Sequence, residues 1–262
     1  ILTSTPADTI LNSGTVSGDI STGTGDDTVE NTGDILGDVL LSSGNDTFVQ
    51  TGAGVTTGEI NGGSGNDRIS GGEFADVIDG SDGEDNIKGF GGDDVIRGGT
   101  NNDVIRGGAG DDEINAGGGD DAVFGGAGAD EIDGRSGEDR IFGRAGDDVI
   151  IGGADRDALS GGAGADEFVY LDPSDSTIGP GTDVIRDFEK GEDKIALDEL
   201  IGGDFIFVGG NAHTGGGTET VRITTSAGGN GVVLIDVDGD GNSDMRIRVQ
   251  GVTDLTADDF FL

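Results

Sequence analysis

Residues 98–124 read GGTNNDVIR, GGAGDDEIN and AGGGDDAVF. Each block of nine opens on small residues, carries aspartate at its sixth place and closes on a short segment centred on an apolar residue. Followed outward in both directions, the register holds without a slip from Gly62 to Val169. The sixth place is Asp67, Asp76, Asp85, Asp94, Asp103, Asp112, Asp121, Asp130, Asp139, Asp148, Asp157 and Asp166, and the eighth is apolar throughout, from Ile69 and Ile78 through Val123 to Leu159 and Phe168. A flexible glycine-rich linker has no reason to keep an aspartate and an apolar residue in strict phase, so the period marks a repeating fold.

Glycine at the first, second and fourth places permits positive φ and close approach of the backbone to a ligand. The x-apolar-x segment that follows turns one side chain inward and two outward. Each nonapeptide is therefore a turn plus a short strand. Two make one coil, which stacks the aspartate of one turn on that of the turn eighteen residues away. Such a stack of carboxylates repels itself. Calcium, a hard ion that takes six to eight oxygens, resolves the conflict using carboxylates and the exposed carbonyls of glycine-rich turns. The candidate ligands are the twelve aspartates together with turn glycines such as Gly62, Gly65, Gly89, Gly92, Gly107, Gly110, Gly125, Gly128, Gly143 and Gly146. One buried apolar residue per nine is a small return for ordering nine backbones. Folding is accordingly expected to be coupled to metal binding.

The repeats match GGxGxDxUx and resemble the repeats-in-toxin (RTX) family, whose parallel β-roll binds calcium. The resemblance implies an ion between turns n and n+2, which would pair Asp67 with Asp85 and Asp76 with Asp94. Departures occur at turn glycines: Asn101 and Asp155 at the fourth place tolerate left-handed φ, while Ser81, Phe90, Arg135 and Arg144 stand at the second. Phe74, at the fourth place, fits worst, and the site involving Asp76 is expected to be the weakest.

Composition agrees with this reading. The 262 residues include 56 glycines, only 5% aromatics and no cysteine, and 53 acids against 14 bases give a formal charge of −39. That balance repels nucleic acid and anionic membranes and attracts cations. Without cysteine there is no disulfide and no thiolate site. No apolar run reaches the length of a membrane helix, and the opening ILTSTPADTI carries no initiator methionine and no export signal.

Upstream, Asp8-Thr9-Ile10, Asp27-Thr28-Val29 and Asp46-Thr47-Phe48 recur at nineteen residues and lead, after a two-residue insertion, into Asp67-Arg68-Ile69. Residues 1–61 are thus expected to be longer coils of one continuous right-handed solenoid, with Asp27 and Asp46 as further metal candidates. Because a solenoid needs capped ends, a start in mid-repeat predicts that the chain is the C-terminal piece of something longer.

From Asp172 prolines arrive and glycine thins. Residues 161–197 and the later VLIDVDGDGNSDMRIRVQGV resemble the C-terminal domain of serralysin-type proteases, which implies a cap and a signal for type I secretion. The tail Asp258-Asp259-Phe260-Phe261-Leu262 fits such a signal. Within this region Asp236, Asp238, Asp240 and Asp244 follow the oxygen spacing of an EF-hand-like loop. Its twelfth place, however, is Ile247 rather than glutamate, so weaker binding is expected.

His213 is the single histidine. It stands in a glycine-rich loop, where a solvated residue is expected. HExxH cannot be written with one histidine, and no GxSxG elbow or phosphate-loop lysine occurs. The arginines at strand positions, such as Arg97 and Arg106, read as exposed faces.

The expectation is an all-β chain: a right-handed parallel β-roll or β-solenoid with calcium-binding turns and a β-rich C-terminal cap, divided as 1–61, 62–169 and 170–262. Its function is read as a non-catalytic, calcium-dependent folding module of an extracellular or surface-bound protein of a Gram-negative bacterium, exported by the type I secretion machinery and belonging to a surface-layer or adhesin-like parent. The alternative is the non-catalytic tail of a secreted metalloprotease, lipase or polysaccharide epimerase. Self-association and cell-surface polysaccharide remain open as partners.

Overall fold

An extended segment begins at the seventh place of the repeat, buries the apolar eighth and continues through the following glycines. Strands such as Val77–Asp82, Asn86–Gly91, Val95–Thr100 and Val104–Ala109 are six residues long, twice the expected three. Glycine at the first place lets the strand run on into the corner, because no Cβ obstructs the neighbouring coil. The computed structural model describes residues 1, 7–200, 205–213 and 215–262. Regular structure among them is β apart from one 3-10 turn, Ala257–Asp259. No helix among the described residues is long and apolar enough to cross a membrane. The chain forms two compact units, Ile1–Ile132 and Asp133–Leu262.

In the first unit every strand pairs in parallel with the strand one full coil away. Val77 is level with Val95 and Val95 with Glu113 in one sheet; Arg68, Asn86, Val104 and Ala122 are level in the other. Each coil thus gives one strand to each of two sheets. Between the sheets lie two rows of side chains, Ile60, Ile78, Ile96, Ile114 and Ile69, Ile87, Ile105, Val123, at most 1% exposed. Pairing crosses residue 61 without a break, with Thr47 level with Arg68 and Val39 with Ile60. The upstream coils add a short parallel pair, Thr15–Val16 with Asp34–Ile35.

In the second unit parallel pairing runs through Arg140–Ala145, Ala158–Ala163 and Asp183–Ile185 on one side. On the other it runs through Val149–Ile151, Glu167–Val169, Lys194–Ala196 and Phe260–Phe261. Asp183–Ile185 then pairs with Met245–Val249, beyond which Gly231–Asp236 and Thr220–Thr225 turn antiparallel. The switch to antiparallel pairing, made by hairpins rather than coils, ends the solenoid pattern. Phe168 packs on Phe188 and Phe207 on Phe260, with ring centroids 6.2 and 5.7 Å apart.

Candidate metal centre

All twelve repeat aspartates point into the corners of the coil and are 1–3% exposed. Along most of the ladder within each unit, one carboxylate oxygen accepts the amide of the aspartate one coil earlier; Asp76, which has Gly58 one coil before it, begins its row. Asp67 N–H donates to Asp85 Oδ1 at 2.7 Å, Asp76 to Asp94 at 2.8 Å, Asp85 to Asp103 at 2.8 Å, Asp94 to Asp112 at 2.9 Å and Asp103 to Asp121 at 2.7 Å. Asp139 donates to Asp157 and Asp148 to Asp166 in the same way. The second oxygen is different. Oδ2 of Asp67, Asp76, Asp85, Asp94, Asp103, Asp112, Asp157 and Asp166 is buried and has no hydrogen-bond donor.

First-place glycines explain where these oxygens go. A Cβ on Gly80 would lie 2.5 Å from Asp85 Oδ2 and 2.5 Å from the carbonyl of Gly98 in the next coil. On Gly62 it would meet Asp67 Oδ2 and Gly80 O, on Gly89 Asp94 Oδ2 and Gly107 O, on Gly107 Asp112 Oδ2 and Gly125 O, and on Gly143 Asp148 Oδ2 and Gly161 O. A carboxylate oxygen and a carbonyl oxygen therefore converge on the space a methyl group would fill. The first-place glycines lack positive φ; close approach is their function, and left-handed backbone belongs to the second and fourth places. There Gly63, Gly65, Gly92, Gly108, Gly110, Gly128 and Gly146 are left-handed, and so are Ser81, Phe90, Arg135 and Arg144 at the second place and Asn101 and Asp155 at the fourth. Phe74 is the one fourth-place residue outside that set, and it is 43% exposed. Phe90, Arg135 and Arg144 take left-handed φ despite their size whereas Phe74 does not, so this turn departs from its neighbours just before Asp76.

Electrostatics single out the same corners. Burial, with the neighbouring aspartates adding to it, pushes the Asp103 carboxyl up to about 8 against the opposing amide of Asp85. Asp67 and Asp94 rise to about 7 and Asp85 and Asp112 to about 6, burial again first. A buried carboxylate with a free lone pair favours its neutral form unless a cation stands beside it. The donor set, carboxylate plus backbone carbonyl in a glycine cradle, is all oxygen and suits calcium.

The ladder extends past both ends of the nonapeptides. Asp27 donates to Asp46 at 2.6 Å and Asp46 to Asp67 at 2.7 Å, and each leaves Oδ2 buried and unpartnered. Downstream, Asp157 donates to Asp183 Oδ1 at 2.9 Å and Asp166 to Asp193 Oδ1 at 3.1 Å. Burial, followed by the charge of Asp157, raises Asp183 to about 9. Sequence reading missed both, because these coils span 26 and 27 residues instead of eighteen. The signal was present as Asp183-Val184-Ile185 and Asp193-Lys194-Ile195, an aspartate two residues before a buried apolar one.

A second ladder lies outside the first. Asp93 Oδ1 accepts the Asp111 amide at 3.0 Å, Asn102 Oδ1 that of Asp120 at 2.9 Å, Asp111 Oδ1 that of Ala129 at 2.8 Å and Asp147 Oδ1 that of Ala165 at 2.8 Å. These fifth-place donors and acceptors run opposite to the inner ladder, so neighbouring coils are fastened in both senses.

In the 236–244 loop, one oxygen each of Asp236, Asp238 and Asp244 lies within 4.8 Å of the others. Asp240 stands outside this group: its carboxylate accepts the Asn242 amide at 2.6 Å and the Asn242 side chain at 2.9 Å. Ile247 is fully buried in its strand and offers no oxygen. His213 lies in a loop, half-buried and hydrogen-bonded rather than fully solvated. Its Nδ1 lies 2.6 Å from Thr220 Oγ1 and its Nε2 3.0 Å from Ser243 Oγ, and desolvation holds its pKa below the usual imidazole value. Arg97 is exposed, whereas Arg106 is half-buried, its guanidinium 5.2 Å above the Phe124 ring.

Residues 61–96, 70–105, 88–123, 97–132 and 133–168 match the RTX calcium-binding nonapeptide repeat. That stretch carries the RTX calcium-binding repeat, and calcium is the ion these repeats take. Among solved structures, it is similar to the AlgE6R3 subunit from the Azotobacter vinelandii mannuronan C5-epimerase, at 32% identity over 54% of this chain and 77% of that one with a TM-score of 0.43. The AlgE6R2 subunit of the same enzyme gives 29% identity over 52% and 89%, with a TM-score of 0.37. No curated protein matches the chain.

Proposed function

We infer that the chain is a non-catalytic, calcium-dependent folding module of an extracellular bacterial protein exported by type I secretion, within a surface-layer or adhesin-like parent. The observation that carries the reading is the buried ladder in which Asp85, Asp94, Asp103 and Asp112 each spend one oxygen on the preceding coil and leave the other without a donor. Calcium, when bound, supplies the positive charge and oxygen coordination that those atoms lack. The chain's own groups do the rest: Oδ1 fixes coil spacing, and first-place glycines keep the cradle open and lend it their carbonyls from the next coil. Extracellular calcium modules bind at ~10⁻⁴–10⁻³ M, far above free calcium inside a cell. The chain would therefore be threaded out unfolded and fold once outside.

The test is far-UV circular dichroism during a calcium titration from EDTA, with magnesium as control. A cooperative coil-to-β transition near millimolar calcium, absent with magnesium, supports the switch. A chain fully β-structured in EDTA overturns it. An upstream reading frame encoding a protease, lipase or epimerase domain would instead make the module the tail of that enzyme.

A further inference from the structure

The orphaned oxygens are not confined to the roll. At the end of strand Gly231–Asp236, Asp236 is fully buried. Its Oδ2 accepts the Gly241 amide at 2.9 Å, while its Oδ1 is buried with no donor. Two exposed carboxylates converge on it, Asp238 and Asp244, the latter held in place by the Val237 amide at 2.8 Å on its Oδ2. The three oxygens of this group lie within 4.8 Å of one another. Oxygens on opposite sides of a calcium ion are separated by about 4.6–5.2 Å, twice the metal–oxygen distance, so all three can touch one ion. None of the ion pairs among the described residues involves these carboxylates.

We propose that Asp236, Asp238 and Asp244 form a calcium site separate from the nonapeptide roll, built into the hairpin that caps the C-terminal sheet. It is not an EF-hand. Strands flank it, its fifth-place acid Asp240 is turned away onto Asn242, and its twelfth residue is the core side chain Ile247. Backbone geometry serves the site: left-handed Gly239 and Gly241 fold the loop back so that the Gly241 amide reaches Asp236.

The loop is also a fastening point. Gly217 N–H donates to Gly239 O at 3.0 Å, and His213 lies against Ser243. An ion in the loop therefore ties His213 and Gly217 to the hairpin. The outgoing strand of that hairpin is level with the last rungs of the ladder, Ile247 opposite Asp183. Occupancy would rigidify the surface on which the final coil closes.

The test uses the full chain labelled with ¹⁵N and titrated with calcium. Amides of Gly239, Gly241 and Asn242 report the loop, and circular dichroism reports the roll, so failure of one reading is distinguishable from failure of the other. Asp238→Asn and Asp244→Asn, both at exposed positions, are each expected to raise the loop midpoint at least about tenfold, as loss of a ligand or its support does, while the roll midpoint moves less than about twofold. An unchanged loop midpoint overturns the proposal. So does a loop midpoint that rises only in step with the roll's.

Discussion

The coils upstream of residue 61 and the nonapeptide coils that follow them build the same parallel solenoid with different interiors. On one edge the upstream coils continue the carboxylate ladder through Asp27 and Asp46. On the other edge, two residues before the buried apolar side chain, they place Gly37 and Gly58 where the nonapeptides place Asp76, Asp94 and Asp112. Their buried polar groups are largely neutral and bond one another. Asn12 donates to Asn31 at 2.8 Å, Asn31 to Gln50 at 3.0 Å, Thr56 to Gln50 at 2.6 Å, and Thr22 to the Leu41 carbonyl at 2.7 Å. The coil from Asp27 to Asn45 buries Val29, Ile35, Val39 and Leu41, against Ile87 and Ile96 for a coil of two nonapeptides. A parallel solenoid can thus satisfy its corners from its own chain. The nonapeptide gives up half of that apolar core and fills both corners with acid, and there the cation takes over the work of neutral donors.

Chelation is the strongest way to break the comparison. In EDTA the amides of residues 62–132 are expected to exchange at least about tenfold faster than those of residues 28–50, whose buried network is half neutral. Hydrogen exchange by mass spectrometry on the whole chain reads this, and equal exchange in the two regions would remove the distinction.

An effect of intermediate size follows from protonation. Asp67, Asp85, Asp94, Asp103 and Asp112 have folded-state pKa values raised to about 6–8, above the ordinary 3.8. Without metal, their contribution to stability is fully present below about 4, where the unfolded chain is protonated too, and is lost as pH rises through about 6–8. Calcium needs the ionised form, so its affinity moves the other way and strengthens with pH. In EDTA the β signal should grow as pH falls from 8 to about 5. Asp103→Asn, which keeps an acceptor for the Asp85 amide and removes the charge, should mimic acid in EDTA and raise the calcium midpoint. A metal-free signal flat across that range would sink the argument.

The smallest effect concerns the cradle. Gly107→Ala puts a methyl against Asp112 Oδ2 and Gly125 O, and overpacking of this kind costs about 1–3 kcal/mol. Ala116 already occupies the equivalent first place before Asp121. Ala116→Gly should therefore lower the calcium midpoint, by less than about threefold. Thermal melts at fixed calcium compare the two, which should move in opposite directions.

Much of this was legible in the sequence because an aspartate and an apolar residue in phase leave few other arrangements. Strand order, inward rows and the aspartate ladder follow from the period. Asp183 and Asp193 were hidden because their coils carry a 170–182 loop and a longer turn, and spacing was the only signal used. The reason for first-place glycine was also hidden, since sequence shows that a Cβ is missing but not which atoms occupy its place. The outer ladder through Asp93, Asn102, Asp111 and Asp147 was overlooked because solvated acids beside an aspartate read as surface. Asp240 illustrates the converse, a spacing match whose side chain is engaged elsewhere.

The regularity of the ladder carries a hazard of its own. Sliding one coil past its neighbour by a whole repeat sets aspartate on aspartate, isoleucine on isoleucine and glycine on glycine, so the misaligned roll is nearly as well satisfied as the correct one. Identical rungs hold no address, and repeat proteins misassemble on that account. The irregular places supply one. Phe74 with its exposed ring, Phe90, Asn101 and Ala116 each stand where glycine would serve better locally, and each makes its own coil unlike the next. What reads as imperfection in the motif is the numbering by which the chain can count its own turns.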